Sequence, residues 1–282
     1  MRVISSAEIP KDDDADLNES LHAAFMSLLG GVGWVVQTRP DVITYVGALQ
    51  RNLKTPKAVH LRRLNRVVRY LQTHPLCIRY HKIPAPTKIG VISDSAFRAD
   101  EPDCLAIKSG IIGLMQDSPL TFSGKFSPVE WISRKQQHVC RSTYGAELHS
   151  ALDIVGMSMI VASAFNEIMY GTQSALVLSQ WQDTGRFAIP LELFIDAKSV
   201  FDAVCAEITK CSDKSLVLHT KALRDYIVSG KLRKFHWIDT RDMVADALNK
   251  GTIDRAAVRS LFQDGIWLTR HPNVSYVHKS KP

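Results

Sequence analysis

Four acidic residues have the types and settings to share one piece of chemistry. Asp94 ends the apolar run IGVISD, Asp196 ends LELFID, Glu147 lies beside the apolar stripe of the stretch 141–170, and Asp246 falls within MVADALNK. A carboxylate set against buried neighbours is costly unless it is paired, hydrogen-bonded or bound to a cation. Several such groups brought together would make an acidic, metal-dependent site. The four acids stand about fifty residues apart along the chain, so only tertiary folding can assemble them. Three of them also have a purely structural reading. Glu147 can complement a helix dipole, Asp196 can cap a helix, and Asp94 can terminate a strand. In IDTRDMVADAL, Asp239 ends a strand before a turn and Asp242 stands where an N-cap is wanted, whereas Asp246 has neither explanation.

The elements that must position these acids follow from periodicity. Leu148, Ala151, Leu152, Val155, Met159 and Ala162 recur at helical spacing, so the stretch 141–170 predicts a long helix with Ser142 or Thr143 at its N-cap. Apolar runs at 88–95, 109–115 and 128–136 predict an antiparallel meander, and 191–195 and 232–238 predict two further strands. Helices are expected over 197–206, 215–228 and 242–250, with Gly230 as a C-cap. Strands and helices in this order predict an α/β domain with a mixed sheet covered by helices.

Before that domain the sequence is helical. Residues 21–36, 40–53 and 57–73 read as three helices, and prolines at 75, 84 and 86 mark a boundary. The division expected is a basic helical segment at 1–83, the α/β domain at 84–270 and a polar tail at 271–282. Residues 1–20, with the run DDDAD, read as a mobile lead-in. The net charge of +7 arises unevenly, because 42–93 holds ten Lys and Arg residues and no acid. Arg62, Arg66 and Arg69 share one helix face there, while Arg134 and Lys135 precede the Glu147 helix. A basic segment beside an acidic site suggests a polyanionic partner. No signal-like or membrane-spanning run is apparent, and five cysteines without metal-ligand spacing suit a reducing, intracellular setting. Trp131, Trp237, His138, His149 and His219 read as packing or surface residues.

Five motifs taken together resemble the ribonuclease H domain that ends the polyprotein of copia-type LTR retrotransposons: ISDSAF at 92–97, VEWISRKQQ at 129–137, RSTYGAEL at 141–148, LFIDAKSV at 193–200 and VADALNK at 244–250. TRPDV at 38–42 and LNRVVRYL at 64–71 are similar to the tail of the preceding reverse transcriptase, without the polymerase's paired aspartates. The resemblance implies a ribonuclease H-like fold and cleavage of the RNA strand of RNA/DNA hybrids. It also implies two Mg²⁺ ions, or Mn²⁺, held by Asp94, Glu147, Asp196 and Asp246, with the rest of a polyprotein as partner. The sequence departs from the family pattern at Thr143, Tyr144 and Gly145, at Phe97, and at LNKG over 248–251. The alternative is a nucleic-acid-binding module that does not cut.

Overall fold

A computed structural model describes residues 1–97, 105–118, 124–207 and 213–278. Among these, seven strands form one mixed sheet in the order β6-β3-β2-β1-β4-β5-β7. Strands β1 (Thr87–Ala96), β2 (Ile107–Gln116) and β3 (Gly124–Lys135) make the antiparallel meander. Strands β4 (Leu191–Ile195) and β5 (Lys234–Ile238) then add in parallel on the far side of β1. The central β4 is buried along its whole length, as a strand covered on both faces must be. This arrangement, flanked by helices, is that of a ribonuclease H-like fold.

Strand alternation divides the core between the two faces. Val91, Leu193 and Ile195 pack with the long helix α4 (Thr143–Tyr170) and with α6 (Lys198–Cys205) and α7 (Val217–Val228). Ile92, Ile111 and Phe194 point the other way, toward α8 (Asp246–Asn249) and α9 (Ala256–Asp264). A third core joins α1 (Glu19–Val35), α2 (Ile43–Gln50) and α3 (Ala58–Thr73), built on Phe25, Leu29, Val46, Leu61 and Leu64. This helical segment is docked on the sheet. Trp131 Nε1 donates to Val36 O at 3.2 Å, Tyr45 Oη to Gly251 O at 2.9 Å, and Arg259 Nη1 to Tyr70 Oη at 3.2 Å.

Several expectations need correction. The acidic lead-in is folded onto α3: Asp13 pairs with Arg62, Asp16 with Lys57 at 2.7 Å, and Asn65 brackets Ile4 with two hydrogen bonds. Its charges answer the basic helix, which a reading confined to local composition did not pair with it. The region 171–187 contains a further helix, α5 (Ala175–Thr184), and the tail contains β7 (Asn273–Tyr276), antiparallel to β5. Strand β6 (Ile266–Trp267) closes the other edge. The stretch 242–250 is not one helix: Thr240–Asp242 form a 3-10 turn, Met243 is extended, and α8 starts at Asp246. Helix α4 is long and apolar enough to cross a membrane by length and composition alone. It serves here as a core helix, with Leu148, Ala151 and Val155 fully enclosed. Cys104 and Cys211 lie outside the described residues, and Cys77, Cys140 and Cys205 are free thiols.

Candidate active site

Three of the four predicted acids converge. One carboxylate oxygen from each of Asp94, Glu147 and Asp196 lies within 4.8 Å of the others. Asp94 is near the end of β1, Asp196 follows the last residue of β4, and Glu147 comes from the start of α4. Because β1 and β4 are parallel neighbours, their C-terminal ends share one edge of the sheet, the usual location of sites in parallel arrangements. Ser142 caps α4 by accepting the Gly145 N–H at 3.2 Å, which fixes the first turn above that edge. Gly145 suits this position physically: a Cβ there would meet Leu216 Cδ1 at 3.2 Å.

Asp246 stands outside the triad, with its carboxylate facing that of Asp94. The acids are buried, at 1% exposure for Asp94, 7% for Glu147 and 5% for Asp246. Burial, then the charges of Asp94 and Asp196, push the Glu147 carboxyl well above its ordinary range. Burial and the Asp94 charge raise Asp196 to about 6. For Asp246, burial and a proton shared with Asp94 raise it to about 8. Crowded like charges in a poorly solvated site account for all three shifts.

Some hydrogen bonds oppose this crowding. Glu147 accepts the Ser95 backbone N–H, and Asp196 accepts the Thr240 hydroxyl. Asn249 Nδ2 donates to Asp94 Oδ2 at 2.7 Å and to Ser109 Oγ at 2.8 Å. The enclosed Asp94 Oδ1, however, has no hydrogen-bond donor among the described residues. A proton on Asp246 or a bound cation are the two ways to relieve such facing acceptors. An orphaned carboxylate oxygen beside two further carboxylates therefore fits a divalent cation with oxygen ligands.

Lys250 and Asn249 are the site residues that sequence reasoning missed. Lys250 Nζ pairs with Asp246 and lies 3.6 Å from Asp94 Oδ2. Burial disfavours its charge, but Asp94 and Asp246 outweigh that and hold the ammonium above its ordinary range. The available signal was the four-residue spacing from Asp246 to Lys250, which puts both side chains on one side of a helical turn. Trp237 is also a positioning group, because its Nε1 donates to Asp196 O at 2.8 Å. Asp242 does not cap α8. Its carboxylate accepts the backbone N–H groups of Arg270 and His271 at 3.0 and 2.9 Å and meets His271 Nδ1 at 2.9 Å.

The predicted basic residues separate into groups. Arg62 is engaged by Asp13 and by Pro10 O, whereas Arg66 and Arg69 on the same helix are exposed. Arg134 and Lys135 pair across β2 with Lys108 and Ile107, close to the level at which Asp94 pairs Ser109. They therefore stand at the carboxylate end of the sheet.

Three relatives place this geometry in context. The chain is 24% identical over 248 residues to the retrovirus-related Pol polyprotein from transposon RE1 of Arabidopsis thaliana, covering 88% of this chain and 15% of that protein. It is 24% identical over 226 residues to the corresponding RE2 polyprotein of the same plant, covering 80% of this chain and 14% of that one. A transposon Ty5-1 protein of Saccharomyces cerevisiae is 31% identical over 103 residues, covering 36% of this chain and 33% of its own length. No family model matches the chain. The chain thus spans about a seventh of the plant polyproteins it matches, and its similarity is to a portion of retrotransposon Pol polyproteins.

Proposed function

We propose that this chain is a Pol-derived endonuclease that cleaves the RNA strand of RNA/DNA hybrids with two divalent metal ions, Mg²⁺ or Mn²⁺. The observation that carries the reading is the triad of Asp94, Glu147 and Asp196 at the ends of β1, α4 and β4, with Asp94 Oδ1 left without a donor. Asp94, Glu147 and Asp196 would hold the ions, with Asp246 supporting Asp94. When bound, the ions supply positive charge at the scissile phosphate and acidify water. The side chains do the rest. The like charges that raise the proton affinities of Glu147, Asp196 and Asp246 are those that a dication compensates, so loading releases protons. Lys250 Nζ, beside Asp94 and Asp246, would be placed to pair with a phosphate oxygen, and Asn249 orients Asp94. Arg134 and Lys135, at the same sheet end, are assigned to the hybrid backbone.

A binding module that does not cut is favoured by one observation: Lys250 already supplies a counter-charge to Asp94 and Asp246. The two readings separate in one assay, with an end-labelled hybrid incubated with Mg²⁺, with Ca²⁺ and with chelator. The nuclease reading expects RNA cleavage with Mg²⁺, little with Ca²⁺ and none with chelator, since Ca²⁺ tolerates looser coordination. Folded protein that leaves the hybrid intact with Mg²⁺ would overturn the nuclease reading.

A further inference from the structure

A cavity of about 460 Å³ opens between α2 and α3, outside the carboxylate site. Val42, Ala48, Leu49 and Val67 give it an apolar interior, and Tyr45 and Tyr70 add aromatic surface. Exposed Arg63 and Arg66 and buried Arg255 make its lining cationic. Arg63 and Arg66 are exposed and make no ion pair among the described residues. Arg255 is 8% exposed, lies 4.9 Å over the Tyr45 ring, and keeps an enclosed Nε with no hydrogen-bond partner among the described residues. An apolar slot faced by an aromatic ring and edged by guanidinium groups matches a planar ring that carries a phosphate. A purely phosphate-binding track would have no use for the apolar interior.

We propose that this cavity takes the base of one unpaired nucleotide of a single strand, with its phosphates on Arg63 and Arg66. The pocket is mechanically joined to the carboxylate site. Tyr45 Oη donates to Gly251 O at 2.9 Å, and Arg255 Nη2 donates to Lys250 O at 3.0 Å, so its walls grip the loop that carries Lys250. The inference rests on the hybrid-cleaving reading only for the choice of a nucleic acid as the polyanion. A strand leaving the hybrid would then be anchored on α2 and α3 while its paired part lies at the carboxylates.

The test is fluorescence anisotropy of a labelled single-stranded RNA in chelator, so that binding is read apart from cleavage. Wild-type protein should bind it, and the same strand built with abasic residues should bind about tenfold more weakly, the scale of one lost base stack. Ala48→Trp, which fills the cavity without changing charge, should weaken the intact strand similarly and leave the abasic strand unaffected. The Arg63→Glu/Arg66→Glu double variant should weaken both. Equal affinity for intact and abasic strands would overturn the pocket, and that arm needs no variant to fold. Hybrid cleavage measured in parallel is independent: its absence sinks the nuclease reading without touching the pocket.

Discussion

Two carboxylates at opposite ends of β4, buried Glu192 within it and half-buried Asp196 just past it, behave in opposite ways. Glu192, near one end, is fully buried and faces two cations, Lys88 Nζ at 2.6 Å and Arg233 Nη2 at 2.6 Å, with His236 Nε2 at 3.1 Å. Burial pushes its carboxyl up, but the His236 and Lys88 bonds outweigh this and hold it far below the usual carboxylate range. Asp196, just past the other end, faces acids and is raised to about 6. Loss of solvation raises both carboxyls, so by itself it says nothing of function. The charge of the neighbours separates a structural acid from one poised for a cation. His236, inside β5, belongs to the structural end.

The largest effect should come from Asp94→Asn, which keeps shape and hydrogen bonding but removes the central charge. Cleavage of a labelled hybrid should fall by about a thousandfold or more, the scale of several kcal/mol of lost charge stabilisation. A fall of only a few-fold would remove the functional half of the contrast. Next, Glu192→Gln should destabilise the fold by about 3–5 kcal/mol in chemical denaturation, because Lys88 and Arg233 are left facing a neutral group. Were it as stable as the parent, the cation knot would not be a structural device.

Asp196→Asn should do the reverse in chelator. Removing a charge that its surroundings disfavour should stabilise the metal-free chain by about 1–2 kcal/mol while abolishing stabilisation by Mg²⁺. Lower stability in chelator would mean that Asp196 is not strained by its neighbours.

The two ends also predict opposite limbs of a pH profile. Glu192 has a depressed value, so its contribution is present above the unfolded carboxylate range and is lost as pH falls through the folded value. Asp196 and Asp246 have raised values of about 6 and about 8. Between the ordinary carboxylate range and those values the folded chain holds more protons than the unfolded one, so stability falls as pH rises. Metal-free thermal unfolding should therefore show declining stability from about pH 5 to 8, and Mg²⁺ should restore more stability at the upper end. A metal-free profile that rises over this range contradicts the assigned crowding.

Smallest is the expected effect of Asp242→Asn on cleavage, which should stay within a few-fold. Its carboxylate anchors residues 270 and 271 rather than the triad, so the loss should appear as about 1–3 kcal/mol of stability.

The sheet was legible because its strands are apolar runs bounded by turn residues, and β4 matched its expected limits, 191–195. The triad was legible because a carboxylate ending such a run has few inexpensive explanations. What stayed hidden depends on long-range partners. Strand β7 is short and half polar, and it forms only because β5 offers an edge. Helix α5 buries none of its residues, so it leaves no strong apolar stripe. The lead-in looked mobile because Asp13 and Asp16 find Arg62 and Lys57 only in the folded chain. Lys250 was passed over because a lysine after an acid is an ordinary helix-surface pair until tertiary structure sets it beside Asp94.

The most direct measurement is anomalous scattering from crystals soaked in Mn²⁺. A peak between the carboxylates of Asp94, Glu147 and Asp196, with Lys250 Nζ moved away from Asp94, is the result this account predicts. Crystals that bind Mn²⁺ elsewhere while these three carboxylates stay metal-free and Lys250 keeps its contacts would contradict it.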